Sequence, residues 1–563
     1  MNPSHRLIYL PLGGCGMFGA NAYVYGWGSE GEERFILVDC GIAFPAADSE
    51  PGVDAMIPDL RWVNDRIDRL EAIFITHAHE DHVGAIGHLY PEMPGAGRAA
   101  VPVYARPFTA TLARMKLEQM DRPVKVVKEA GVWPETVRAG PFQVGFLPVA
   151  HSIPEASALV IETPAGRIVH SGDFNLDRTP VVGEPHDPER LRQAAEGGVL
   201  GLVCDSTNVF NSRPGRSEAT VAEPVADLLR ECQGLFVATT FASNLGRLQS
   251  LAAAGISAGR SVAIVGRAMQ RMLDVGHRSG MLEDFPPVIP FGDASRLPRN
   301  ELLLVVTGSQ GERQAVSTQL SWGNYRGIEL ETGDGFLFSS RTIPGNEAPV
   351  NGIKNRLAAR GVRIFDATNI DGLHASGHAC RPDIEDFCRI FDPDLVIPMH
   401  GENQHLREHA RLAESAGYRS LFVTTGMLAE LAPGPPGVVG HASTGLICVD
   451  GASRYAQLDN VLRDRRRMAD QGVIAAAVEF ETDGTAWCSG LSLKGLPNQA
   501  PGDSRPLADL LHAQISDSLS RHRPLESESD AVIERTVSRM ARNIAMRHVG
   551  KKPEVIVLFP SDD

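Results

Sequence analysis

The sequence lacks any apolar run approaching the ~18–20 residues that span a bilayer. Its opening, MNPSHRLIYLPLGG, lacks the charged region, apolar segment and small-residue cleavage site of a secretory signal. We therefore expect no membrane partner and a cytoplasmic location. Cysteine is sparse, with 8 in 563 residues: Cys15, Cys40, Cys204, Cys232, Cys380, Cys388, Cys448 and Cys488. None forms a CxxC pair, which reads as reduced, mostly buried thiols of a cytosolic protein. HExxH is absent, which argues against the helix-borne zinc proteases, and PLGGCG lacks the GxGxxG context of a dinucleotide fingerprint. No internal repeat or low-complexity tract is present. Basic residues are in deficit, 54 Lys and Arg against 69 Asp and Glu, a formal net charge of -15. That balance argues against broad binding to phosphate backbones, except where bound cations add charge that the count omits.

What is present is an ordinary globular composition, 43% hydrophobic and 22% charged, in a chain long enough for several domains. Short apolar runs alternate with turns in RLIYLPLGG, RFILVDCG, EAIFITHAH, FQVGFLPVAHS, RIVHSGD and GLVCDST. Most end in Gly, Asp, His or Ser, so strands deliver polar side chains into loops. From about Ser217 the texture changes. EATVAEPVADLLREC reads as an amphipathic helix, NLGRLQSLAAAG as a helix closed by glycine, and SVAIVGR and ELLLVVTGSQGE as buried parallel strands. Histidine-bearing strand ends return in IDGLHASGHA and LVIPMHGENQH. The expected class is thus α/β. A metal-type domain (residues 1–212 and 349–440) is interrupted by an inserted α/β domain (213–348). The Pro/Gly-rich stretch LAPGPPGVVG marks a boundary, and a linker (441–468) then leads to a small C-terminal α/β domain (469–563).

The densest chemistry is FITHAHEDHVGAIG. Within six positions it holds His77, His79, Glu80, Asp81 and His82. The loop can point His77 and His79 at one ion and Asp81 and His82 at a second. Imidazole and carboxylate are donors for Zn²⁺ and, more loosely, Mn²⁺. Further ligands stand at later strand ends: His151 in PVAHSIPEA, Asp173 in VHSGDFN and His400 in VIPMHGE. Asp39, ending FILVD, can hold a ligand imidazole in its tautomer. A lone His or Asp at a strand end is more often structural. The cluster differs, because without a cation it would force imidazoles and a desolvated carboxylate together. His88, His405 and His409 read as surface or structural. Arg463, Arg465, Arg466 and Arg467 read as a solvated helix face or a contact to RNA or a neighbouring subunit.

HAHEDH with later HS, GD and HG stations resembles the metallo-β-lactamase superfamily, and the inserted block resembles its nucleic-acid-processing β-CASP branch. PGVDAMIPDL, AHSIPEA, HSGDFNLD, DSTN, FASN, TGSQGE, IPGNE, HASGHA, PMHGE, VLRDRRRM and GKKPEVIV together resemble the bacterial ribonuclease J family over nearly the whole chain. That resemblance implies an αββα sandwich carrying an inserted β-CASP domain and a small C-terminal domain. It implies two divalent ions per chain, zinc foremost with manganese or magnesium as alternatives. His77, His79 and His151 would hold one ion, Asp81, His82 and His400 the other, and Asp173 would bridge them. His378 would act near the scissile phosphate, oriented by Asp205, with Asp81 also counted in the catalytic set. Ser243, Asn244, His374, Ser376 and Gly377 would hold phosphate. The structural alternatives are a capping or core role for His378 and a turn or N-cap role for Ser243 and Asn244.

The activity implied is hydrolysis of single-stranded RNA. It would run 5′-to-3′ from 5′-monophosphate ends, with internal cleavage as well, in rRNA processing and mRNA decay. A two-metal centre supplies hydroxide at neutral pH and stabilises the added charge of the transition state. An imidazole can protonate the departing 3′-oxygen. Expected partners are single-stranded RNA, a homodimer or homotetramer, and RNA-decay proteins. Competing readings are a DNA-processing β-CASP nuclease, a metal-dependent small-molecule ester or thioester hydrolase, and a non-catalytic scaffold. The small-molecule enzymes need neither the insertion nor the SGHA histidine, and a scaffold would have lost ligands. Three stretches depart from the family pattern. GGCGMFGAN has Met17 and Phe18 where Glu and Ile are usual, Arg313 follows TGSQGE in place of Pro, and STQLSWGNYRGIEL lacks a usual histidine.

Overall fold

The computed structural model describes residues 5–45, 49–90, 100–343, 345–367, 370–482, 485–521 and 529–559; Pro344 of the IPGNE motif lies outside them. The chain divides into two compact units, residues 1–44 with 55–447, and 45–54 with 448–563.

The larger unit is built on two sheets. One has eight strands in the order Gly437–His441, Met427–Ala432, His5–Gly13, Ala22–Ser29, Arg34–Val38, Leu70–Phe74, Val103–Ala105, Val127–Glu129. The other has six, in the order Val396–Met399, Gly201–Asp205, Gly166–His170, Ser157–Thr163, Phe142–Pro148, Val137–Ala139. Strands such as Arg34–Val38 and Gly201–Asp205 are apolar on both faces because each sheet is covered twice. Tyr9, Tyr25 and Phe74 of the first sheet meet Phe142, Phe146, Ile161 and Ile397 of the second in one core. The outer face of the first packs on helix Pro107–Gln119 through Ala110, Ala113 and Leu117. The outer face of the second packs on helices Pro188–Ala195 and Arg381–Phe391 through Leu191, Ile384 and Phe387. Helix, sheet, sheet, helix is the expected αββα layering.

The insertion forms a separate, wholly parallel five-stranded sheet: Ser261–Val265, Leu302–Val306, Phe236–Thr239, Gly335–Phe338, Arg363–Asp366. Apolar clusters cover both its faces. Strand Arg363–Asp366 completes this sheet beyond residue 348, reached through helix Glu347–Ala359, which straddles that position. The strand is short and at the sheet's edge, with Arg363 exposed, so it carries little apolar signal. Helix Leu245–Ser257 runs past Gly255, its expected stop. A Cβ on Gly255 would lie 2.6 Å from Val262 and 2.8 Å from Leu303, so this glycine lets helix and sheet approach closely.

In the smaller unit, strands Ala486–Lys494, Val473–Phe480 and Glu554–Leu558 form a sheet in that order, packed on helices Leu507–Ser520 and Asp530–Val549. The arginine run lies on helix Asn460–Gln471, where Arg465 pairs with Asp450 and Arg467 with Glu554. Among the described residues no helix is long and apolar enough to cross a membrane.

Candidate metal centre

Five strands end where the polar cluster forms. Leu70–Phe74 delivers His77, Phe142–Pro148 delivers His151, Gly166–His170 delivers Asp173, Gly201–Asp205 ends on Asp205, and Val396–Met399 delivers His400. His79 precedes the short helix Glu80–Val83, which carries Asp81 and His82. Close packing fixes this turn. A Cβ on Gly41 would fall 1.5 Å from the Asp81 carbonyl oxygen, so only glycine fits. Asn21 Nδ2 donates to the same carbonyl at 2.9 Å and lies 3.0 Å from His82 Nε2. Asp39 has a left-handed backbone, φ 65°, that turns its carboxylate inward. Its Oδ2 is 2.8 Å from His82 Nδ1, and its Oδ1 accepts the Thr76 backbone N–H at 2.8 Å.

The ligand-type atoms gather into two groups that share Asp173. His77, His79, His151 and Asp173 form one, and Asp81, His82, Asp173 and His400 the other, with all atoms of a group within 4.8 Å of one another. Across the first, His79 Nδ1 lies 3.2 Å from His77 Nε2 and 3.0 Å from His151 Nε2. Across the second, Asp81 Oδ2 is 3.3 Å from His400 Nε2, and Asp173 Oδ2 is 3.3 Å from His82 Nε2. Asp173 is 2% exposed, and among the described residues its Oδ1 has no hydrogen-bond partner, His400 Nδ1 standing 3.7 Å away. A buried carboxylate oxygen left unbonded is costly unless a cation meets it. The residues present therefore fit a divalent-metal site.

Without a cation the two groups differ in charge. Burial keeps His77 and His151 neutral and lowers His79 to about 4, leaving three imidazoles ready as donors. Burial opposes protonation of His82 and His400 as well, but the surrounding carboxylates prevail. Asp173, Asp81 and Asp39 push His82 up to about 10, while Asp173, Asp205 and Asp81 raise His400.

His378 stands beside this centre. Its Nδ1 lies 2.8 Å from Asp205 Oδ2, and its ring is 5.1 Å from that of His151 and 5.4 Å from that of His400. The side chain keeps 24% of its surface open, whereas Asp205 is buried. Burial lowers the basicity of His378, but Asp205 and Asp173 more than offset this and raise its pKa. Asp173, Asp205, His378 and His400 also gather as a third group.

A cavity adjoins His151 and is lined in part by Asn175, Arg216, Asn244, Ser376 and Gly377. The carbonyl of Gly377 is 2.6 Å from His151 Nδ1. Asn244 caps helix Leu245–Ser257, its side-chain oxygen accepting the Arg247 N–H at 2.8 Å, which is the structural alternative raised for it. Ser243 sits half-buried in the preceding turn. His374 Nδ1 lies 3.2 Å from Arg247 Nη1.

Several working residues escaped the sequence reading. Thr207 Oγ1 is 2.7 Å from both Asp205 Oδ1 and His400 Nδ1, joining the two loops. Asn208 Nδ2 donates to Ser376 Oγ at 2.7 Å. Both belong to DSTN, whose polar density after a buried strand was a usable signal. His409, expected to be surface or structural, takes the structural place: it is buried, its Nδ1 2.9 Å from Ser206 Oγ. Arg247 is fully buried, paired with Glu218, and its Nη2 donates to the Ala375 carbonyl at 3.2 Å. An arginine in a helix carries no sequence mark of that role.

The double sheet, the strand-end His/Asp cluster and the inserted parallel sheet define a metallo-β-lactamase-type protein of the β-CASP kind. Residues 15–201 match the metallo-beta-lactamase superfamily, and 367–423 match the Zn-dependent metallo-hydrolase RNA specificity domain. Residues 233–357 match the ribonuclease J beta-CASP domain and 460–560 the ribonuclease J C-terminal domain. Ribonuclease J of Sinorhizobium meliloti is 35% identical over 99% of this chain and 98% of its own length. Ribonuclease J of Mycolicibacterium smegmatis is 36% identical over 78% of this chain and 77% of its own, and ribonuclease J 1 of Streptococcus pyogenes 34% over 84% and 83%. The chain belongs to the ribonuclease J family.

Proposed function

We propose that this chain is a metal-dependent ribonuclease that hydrolyses phosphodiester bonds of single-stranded RNA. It works 5′-to-3′ from monophosphate ends, cuts internally as well, and serves RNA maturation and decay. The observation that carries this reading is the His378–Asp205 pair, set beside the convergent ligand groups. His77, His79 and His151 would hold one ion, Asp81, His82 and His400 a second, and Asp173 both. Three neutral imidazoles favour zinc, while the carboxylate-rich second group also suits manganese or magnesium. Ions held there supply charge neutralisation and Lewis acidity to a phosphodiester.

His378 performs the proton transfer that this chain's own residues must provide. Asp205 engages its Nδ1, leaving Nε2 to protonate the departing 3′-oxygen. Asn244, Ser376 and Gly377, lining the cavity at His151, would receive the 5′-phosphate, with Ser243 and His374 completing the loops that carry it. In the smaller unit, Trp487, Ile556 and Leu558 leave apolar surface exposed, which supports assembly as a homodimer or homotetramer. Eight unpaired, buried cysteines support a cytoplasmic location.

The test is a cleavage time course on matched RNA and DNA oligonucleotides with 5′-monophosphate or 5′-triphosphate ends. Zn²⁺, Mn²⁺ and Mg²⁺ are supplied in parallel, and Asp81→Ala serves as control. Progressive release of mononucleotides from monophosphorylated RNA, absent in the variant, is expected. Cleavage of DNA alone would transfer the reading to a DNA nuclease, and cleavage of neither to a small-molecule hydrolase.

A further inference from the structure

Beside His400, aromatic rings from three distant segments come together. Strand Cys15–Gly16 pairs with Gly401–Glu402, and Met17 bridges to Gly401, so the glycine-rich loop runs alongside the His400 turn. This pairing carries Phe18 to the centre, its ring 6.1 Å from that of His400 and 5.1 Å from that of His405. Phe210, at the end of the DSTNVF loop, meets His405 from its own segment at 5.2 Å. Both contacts with His405 are edge-on, at 69° and 66°. Phe210 remains 54% exposed, and Phe18 and His405 are half-buried. The three rings thus form one contiguous, partly open aromatic surface that reaches His400 through Phe18.

We infer that Phe18, His405 and Phe210 form a stacking platform for the nucleobase on the 3′ side of the scissile bond. This rests on the ribonuclease reading above. A strand whose 5′ end enters the cavity at His151 and whose phosphate lies over the ligand groups continues past His400, where these rings stand. Single-stranded nucleic acid is held by bases stacked on aromatic faces, with little sequence preference, because every base has a π-face. The three rings bind and position substrate; none takes part in proton transfer.

The test pairs Phe210→Ala and Phe18→Ala with an RNA abasic at the nucleotide 3′ of the bond to be cut. On intact RNA each variant should raise KM by about tenfold, with kcat little changed. Wild type should lose a similar factor on abasic RNA, and the variants should lose nothing further. Phe210→Trp should restore the intact-RNA value. Equal loss by the variants on intact and abasic RNA would overturn the platform, as would wild-type indifference to the abasic site. Absence of any RNA cleavage by wild type would overturn the ribonuclease reading, and the platform with it. Because Phe210 is exposed, its replacement leaves the core intact and the comparison readable.

Discussion

Two loops meet at His151, and they are held in opposite ways. Residues 76–83 approach its Nε2, with His79 Nδ1 at 3.0 Å, and residues 373–379 approach its Nδ1, with the Gly377 carbonyl at 2.6 Å. The first loop is secured by near neighbours in the sandwich: Asp39 on His82, Asn21 on the Asp81 carbonyl, and Gly41 packed beneath it. The second is secured largely by the inserted domain. Ser339 Oγ donates to the Leu373 carbonyl at 2.7 Å, and Arg247 reaches His374 and the carbonyl of Ala375. The lesson is a division of labour. The sandwich holds His77, His79, Asp81 and His82, whereas the Nδ1 side of His151, the acid and the phosphate-facing loop depend also on the insertion being intact.

The largest effects should break the first loop's product, the ligand set. Asp173→Ala removes the one carboxylate common to both groups and should abolish turnover with loss of bound metal, read by elemental analysis beside activity. Retention of two equivalents of metal would contradict its shared role. His378→Ala addresses the second loop. Loss of a general acid should lower kcat by about 10²–10⁴-fold while metal content stays at the wild-type level. Normal turnover in that variant would remove His378 from proton transfer.

Arg247 sharpens the comparison because it touches neither ligands nor reacting atoms. Arg247→Met leaves Glu218 without its buried partner, which should cost about 3–5 kcal/mol in a denaturant melt. Below its midpoint the variant should load metal normally yet lose its preference for 5′-monophosphate ends. Loss of metal instead would show that the two loops are not independently held.

Legibility followed the same division. HAHEDH could be read because four proposed ligands fall in six consecutive residues after an apolar strand, and Asp39 because it ends a strand. The interruption of one metal-type domain by an insertion was legible from strand-end chemistry recurring after residue 348, whereas the αββα layering came only from the family resemblance. Arg247 was not, since its partners lie 29 residues away in Glu218 and 128 away in Ala375. The ring cluster of Phe18, His405 and Phe210 arises only from tertiary convergence of three loops. Met17 and Phe18 were visible as a departure from the family pattern, but not as the neighbours of Phe210's partner. Gly255 misled because glycine at a helix end and glycine at a close approach read alike in sequence.

The smallest expected effect separates two roles that one side chain plays at once. Asn244 caps its helix with its oxygen and lines the cavity at His151. Asn244→Ala removes the cap and any contact to phosphate, so it should lose about 1 kcal/mol of stability and part of the monophosphate preference together. Asn244→Asp keeps an acceptor for the Arg247 N–H, and its charge suits a helix N-terminus. It also replaces an amide donor with an anion in a cavity proposed to take an anion. Stability should therefore hold while the ratio of kcat/KM on monophosphate and triphosphate ends collapses toward one. If both variants lower the melting midpoint equally and leave that ratio untouched, the residue is a helix cap alone. The phosphate would then be held by Ser376 and Gly377, on the loop that Arg247 secures.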